Sequence, residues 1–130
     1  MIVDSSVILA ILLAESDAQI YTSAIAKTYI TRMSAVSYIE VAAKLDNVKD
    51  PIASRDLDNL IRGAQIIVED VTSEQTQIAR EAYRDFGRGS GHQAKLNFGD
   101  CFSYALAKVY DEPLLFKGND FSKTDIQSAL

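Results

Sequence analysis

Four acidic residues stand where a carboxylate can do chemistry. Asp4 directly follows the short apolar run Ile2-Val3, and Glu40 lies in the middle of an apolar helical stretch. Asp100 opens a second such stretch, and Asp120 comes just past Leu114-Leu115-Phe116. Two like charges ~4 Å apart repel by about 4 kcal/mol at an effective dielectric near 20. Gathering four carboxylates therefore requires protons or a divalent cation. Oxygen-only donors select hard cations, Mg²⁺ or Mn²⁺, which keep several waters and bind phosphate oxygens. A centre of that kind suits hydrolysis of a phosphodiester, one ion activating a water and a second stabilising the leaving oxygen.

Each acid also has a local explanation. Asp4 can cap the helix that begins near Ser5. Asp100 can complete a reciprocal cap with Asn97, and Asp120 can be a turn residue after Gly118-Asn119. Glu40 resists such treatment, because a charge in a helix apolar on most faces must be paired or bound. None of these explanations accounts for all four acids falling at one edge of a sheet. Around them, Ser6 can hold a water at a metal or satisfy a backbone group. Asn119 reads as a turn former, and Asp125 is either a fifth acid near the cluster or a cap. His92 sits in a glycine-rich loop, solvated or touching substrate, and Cys101 is a small buried neighbour of Asp100. Arg32, Lys95 and Lys117 can meet phosphates or simply lie at the surface.

The elements that must position these residues follow from the hydrophobic pattern. Ile2-Val3 is a very short strand. An apolar helix runs from Val7 to Ala14, apolar all round, so either deeply buried or covered by another chain. A second helix carries Ile20, Ala24 and Lys27. Tyr29 to Met33 has the composition of a strand. A third helix, Ala35 to about Leu45, is apolar on nearly every face (Val36, Tyr38, Ile39, Val41, Ala42, Ala43, Leu45) and is expected to be well buried. Asp50-Pro51 starts an amphipathic helix with Ala53, Leu57, Leu60, Ile61 and Ala64 inward. Ile66 to Val68 is the next strand. Thr72-x-x-Gln75 resembles a capping box for a helix with Ile78, Ala79, Ala82, Tyr83 and Phe86 inward. Gly87 to His92 is the flexible loop before a helix that places Phe102, Ala105, Leu106 and Val109 on one face. Pro113 ends that helix, and Leu114 to Phe116 is the last strand. Strands alternating with helices make an α/β domain with a short, mainly parallel sheet. In such sheets ligands bind at the C-terminal ends of the strands.

The chain has 130 residues, which fits one domain spanning residues 1–130. Its hydrophobic fraction of 48% and mean hydropathy of zero describe a globular protein. The longest apolar run is too short to span a bilayer, and the start lacks the basic residues of a secretory signal. The single Cys101 excludes an internal disulfide and fits a reducing cytosol. One Cys and one His also exclude a thiol zinc site. A net charge of −5 argues against a generic nucleic-acid coat. It leaves room for an enzyme that meets nucleic acid through bound cations.

MIVDSSVILAIL, SYIEVAAKL, LNFGDCFSYALA and LLFKGNDF, in this order and spacing, resemble the PIN-domain ribonucleases, and within them the VapC-type toxins of bacterial toxin–antitoxin pairs. The likeness runs from Met1 to about Ile126. It implies an α/β/α sandwich with a parallel sheet, usually a homodimer, that cleaves RNA endonucleolytically with Mg²⁺ or Mn²⁺. Asp4, Glu40, Asp100 and Asp120 would be its acidic quartet, Asp4 and Asp100 the most direct ligands, Glu40 and Asp120 completing the site or orienting water. Ser6 matches the small polar residue beside the first acid. A VapB-like antitoxin would occupy the groove by the site, with the helix from Val7 to Ala14 part of that surface. Gly91-His92-Gln93 departs from the GRHP-type sequence expected before NFGD, so substrate contacts from this loop are not carried over. A rival reading is a phosphoacceptor receiver-like signalling domain, with Asp4, Asp70 and Lys117 as its acid, acceptor and lysine. It gives no role to Glu40 or Asp100. A third, an inactive binding domain of the same fold, leaves four intact acids unexplained.

Overall fold

The computed structural model describes residues 1–130. Its strands are β1 (Ile2–Val3), β2 (Arg32–Ser34), β3 (Ile67–Glu69) and β4 (Leu114–Leu115). Between β1 and β2 lie α1 (Ser5–Leu12) and α2 (Ala18–Ala26). Helices α3 (Ala35–Asn47) and α4 (Pro51–Gly63) connect β2 to β3, and α5 (Ser73–Phe86) and α6 (Asp100–Tyr110) connect β3 to β4. All pairings are parallel, in the order β3-β2-β1-β4.

Alternation along two-residue strands sorts the core into two halves. Ile2 and Leu114 pack with Ala105, Leu106 and Ala82 on the face covered by α5 and α6. Val3 and Leu115 pack with Val7, Ile8, Met33, Val41 and Leu57 on the face covered by α1 to α4. A parallel sheet with apolar side chains on both sides has to be covered on both. The result is the three-layer α/β/α arrangement that the resemblance implies. The β4 edge is closed by the C-terminal segment, where Leu114 N donates to Gln127 O and Ala129 N to Leu114 O, which blunts an otherwise open edge.

Local chemistry sets the helix starts. Asp4, Ser34, Asp50 and Thr72 cap α1, α3, α4 and α5 with side-chain oxygens. Asp4 and Ser34 do so at the strand ends, so α1 and α3 both begin at the C-terminal edge of the sheet.

Five expectations need correction. The second strand is Arg32–Ser34 rather than Tyr29 to Met33, and Tyr29 is 99% exposed; β-forming composition yields to where β1 offers a pairing register, which begins at Arg32. Helix α3 is less buried than its composition implies, because it lies across the sheet and α4 on one side only: Ser37, Val41 and Leu45 go inward and Ile39 is 61% exposed. Helix α1 ends at Leu12, with Leu13 exposed, so it is half covered within this chain. Tyr83 of α5 faces solvent, while Ala79 and Ala82 are buried in the core and Ile78 and Phe86 pack against it. The capping box at Thr72 is half made: Thr72 Oγ1 accepts from Gln75 N at 3.2 Å, while the buried Gln75 Oε1 has no partner.

Candidate active site

The topology brings the four acids to one place. Asp4 leaves the C-terminal end of β1, and its neighbour strand β4 runs on into the turn carrying Asp120, with Asp4 N donating to Leu115 O at 2.9 Å. Glu40 comes from α3 and Asp100 from the first position of α6. Asp4, Glu40, Asp100 and Asp120 line a single cleft of about 520 Å³, together with Ser6, Asn97, Glu15, Lys44 and Lys117.

Asp4 is 2% exposed and held by three donors. Ser6 N and Ser6 Oγ donate to its Oδ2 at 3.0 and 2.6 Å, and Ser103 Oγ donates to its Oδ1 at 2.6 Å. Ser6 Oγ in turn accepts from Lys117 N at 3.1 Å, tying the turn of Asp120 to the start of α1. Capping and site-building are therefore one arrangement. Asp100 and Asn97 make the expected reciprocal cap: Asn97 Oδ1 accepts from Asp100 N at 2.8 Å, and Asn97 N donates to Asp100 Oδ2 at 2.9 Å.

Glu40 reaches α6 through a gap that only glycine leaves. Gly99 has ordinary helical torsions, φ −65° and ψ −39°, so its backbone does not need glycine. A Cβ there would overlap the Glu40 carboxylate, both oxygens included. Glycine leaves the space that this position of the Glu40 carboxylate fills.

The electrostatics record the crowding. Burial first, then the charges of Asp4, Asp120 and Glu40, push the Asp100 carboxyl up to about 7 against the lowering hydrogen bond from Asn97. Burial and then Asp4 raise Glu40, partly offset by Lys44 and by a hydrogen bond from Ser5. As the side chains stand, no three Asp, Glu, His or Cys groups converge tightly enough to grip an ion. Asp4 and Asp100 have oxygens engaged by protein donors, and Asp120 is exposed. The donor set nonetheless fits a hard divalent cation: it is oxygen-only, it shares one cleft, and its mutual repulsion is what such an ion offsets.

The remaining candidates lie elsewhere. Asn119 is an exposed turn residue outside the cleft lining, its carbonyl accepting from Ser122 Oγ. Asp125 is taken up by Tyr104 and Lys108, away from the cleft. His92 packs edge-on against Phe86 and accepts from Ala94 N. Cys101 is buried, its thiol pushed up to about 12 by burial. Arg32 pairs with Glu69 and Glu112, and Lys95 is exposed outside the cleft. The receiver-like reading fails on topology. Flavodoxin-like folds, receivers included, place β3 beside β1, whereas here β2 separates them and Asp70 lies outside the cleft.

Gly99, Ser37, Ser103, Lys44 and Glu15 were not legible as site residues. A glycine directly before Asp100 and a serine one turn after it, inside an apolar stretch, are the only traces the sequence offers of two of them.

Known proteins share this chain's sequence pattern and fold. The PIN domain family matches residues 1–127. Ribonuclease VapC28 of Mycobacterium tuberculosis is 57% identical over the whole of this chain and 98% of its own length. Ribonuclease VapC42 of the same species is 50% identical over 99% of this chain and 98% of its own. Among solved structures, M. tuberculosis VapC20, described as a Sarcin-Ricin loop cleaving toxin, superposes with a TM-score of 0.75 at 19% identity, covering 96% of this chain and 95% of that one. A toxin–antitoxin complex from Klebsiella pneumoniae gives 0.69 at 11% identity, covering 93% and 89%. At those identities the structures show the shared fold, and the full-length relatives carry the rest: the chain belongs to the PIN-domain family, among the VapC ribonucleases.

Proposed function

We propose that this chain is the toxin of a type II toxin–antitoxin pair and hydrolyses RNA phosphodiester bonds by water attack at the acidic cleft, with Mg²⁺ or Mn²⁺. The observation that carries this reading is that four carboxylates from separate parts of the chain line one cleft. A divalent cation supplies neutralisation of the phosphate charge and an acidified water. Asp4 and Asp100 would hold it, and Glu40 and Asp120 would complete the set and orient the attacking water. Ser6 fixes Asp4. The partners are an RNA substrate and a VapB-like antitoxin, whose docking surface is the apolar rim of Leu9, Leu13, Leu45 and Val48 beside the acids. The working unit is a homodimer in the cytoplasm. No helix is long and apolar enough to cross a membrane.

The chemistry of the cut ends tests this reading. Water attack with departure of the 3′ oxygen leaves a 5′-phosphate and a 3′-hydroxyl. A 2′,3′-cyclic phosphate would make the ribose 2′-hydroxyl the nucleophile and remove the need for the carboxylates.

Lys117 supplies a second test. Its ammonium pairs with Glu15 and, at 2.9 Å, with Asp17, and these hydrogen bonds raise its pKa. Lys117→Met leaves Glu15 in the cleft lining, and Asp17 beside it, without their counter-charge facing a polyanion. KM for RNA is expected to rise about fivefold with kcat little changed, the effect shrinking as salt is added. Steady-state kinetics at low and high ionic strength check it.

A further inference from the structure

Two fully buried serines form a relay under the cleft. Ser103 lies on α6 one turn after Asp100, and Ser37 lies on α3 one turn before Glu40; both are 0% exposed. Ser103 Oγ donates its only proton to Asp4 Oδ1 at 2.6 Å. The 3.0 Å contact between the two hydroxyls must therefore run from Ser37 to Ser103. A helical serine usually returns its hydroxyl to a carbonyl of the preceding turn. Neither does so here, and both donate towards Asp4.

A carboxylate offers about four acceptor positions. The two on Asp4 Oδ2 are taken by Ser6 N and Ser6 Oγ, and Ser103 takes one of the two on Oδ1. We propose that Ser103, supported by Ser37, is a positioning residue that fixes the Asp4 carboxylate and leaves it one free acceptor position, on Oδ1, for a cation in the cleft. This rests on the cation reading above. Asp4 would then have only Oδ1 to offer a cation. Losing the Ser103 hydroxyl loosens the carboxylate at Oδ1, while Ser6 N still donates to Oδ2 and α1 keeps its Asp4 cap.

Titration of the full chain with Mn²⁺, reading free ion by electron paramagnetic resonance, tests the proposal without any activity measurement. Ser103→Ala is expected to weaken Mn²⁺ binding about tenfold, the lower end of what loss of an outer partner costs at metal sites. Ser37→Ala, which leaves the bond to Asp4 but removes its support, is expected to weaken it about threefold. A purely structural role would lower the melting temperature and leave the affinity alone, so unchanged Mn²⁺ binding in the folded variants overturns the proposal. Should Ser103→Ala fail to fold, Ser37→Ala decides: a threefold loss supports the relay, and no loss overturns it. A wild-type chain that binds no Mn²⁺ overturns the cation reading and this proposal with it. Tight wild-type binding with unchanged variants overturns this proposal alone.

Discussion

Gly99→Ala is expected to cut RNA cleavage about a hundredfold while leaving the protein as stable as before. Gly99 precedes α6 as its cap residue with φ −65° and ψ −39°, torsions that alanine adopts without strain, so the backbone can stay where it is. The new methyl must displace the Glu40 carboxylate, which is the free end of a flexible side chain and can swing away. A misplacement of about 1 Å at a reacting group costs on the order of 10²-fold in rate. Adding Glu40→Gln to Gly99→Ala should cost little more than either alone, because both remove the same carboxylate from the same place. Cleavage kinetics beside thermal melts separate this from unfolding. A variant that melts normally and cuts at the wild-type rate would mean that the position of Glu40 against α6 has no part in the chemistry.

Asp100→Asn is expected to stabilise the metal-free protein at neutral pH. The Asp100 carboxyl titrates near 7 in the folded chain against an ordinary value of 3.8. Between these values the folded state holds a proton that the unfolded state has released. The stability from this group is complete below about 3.8, is lost as pH rises through about 7, and stays lost above it. Asparagine carries no charge, and its side-chain oxygen can still accept from Asn97 N. Discounting the full shift for partial solvent exposure leaves a gain of about 2 kcal/mol at pH 8, or about 7 °C in melting temperature. The gain should vanish near pH 4. Melts in EDTA across that range check it, and an Asp100→Asn variant no more stable than wild type at pH 8 would mean that neither burial nor the neighbouring acids raise this carboxyl. A site that holds charge together at a cost to stability is the usual signature of function placed above stability.

Residues whose roles depend on their near neighbours in sequence are legible from the chain alone. Asn97 and Asp100 are three apart and cap each other as expected; Asp50-Pro51 and Thr72 start their helices. The four acids stand out because each sits beside an apolar run that fixes its element, and the parallel sheet sends the ends of β1 and β4 to one edge. Contacts between distant segments are not legible in this way. Ser103 meets Asp4 across 99 residues and Ser37 across 66, and nothing local distinguishes these hydroxyls from ordinary small core residues. Gly99 hides for a related reason: the side chain that needs its space comes from another helix. Asp125 shows the converse, since its place near the last strand resembles that of the quartet, yet Tyr104 and Lys108 lie closer and take it. Exposed apolar positions such as Ile39 and Leu13 mislead in the same way, because composition does not say which side of a helix finds a neighbour within the chain.

On the proposed function, the four carboxylates work together as one cation-dependent nuclease centre. This is tested most directly by incubating a labelled RNA pool with the purified protein in Mg²⁺, in Mn²⁺ and in EDTA, beside an Asp100→Asn variant checked for folding by its melt. Cleavage that needs the ion and disappears in the variant is the predicted result. RNA left intact with either ion, or cut equally well by the variant or in EDTA, would contradict the claim and leave Asp4 and Asp100 as helix caps.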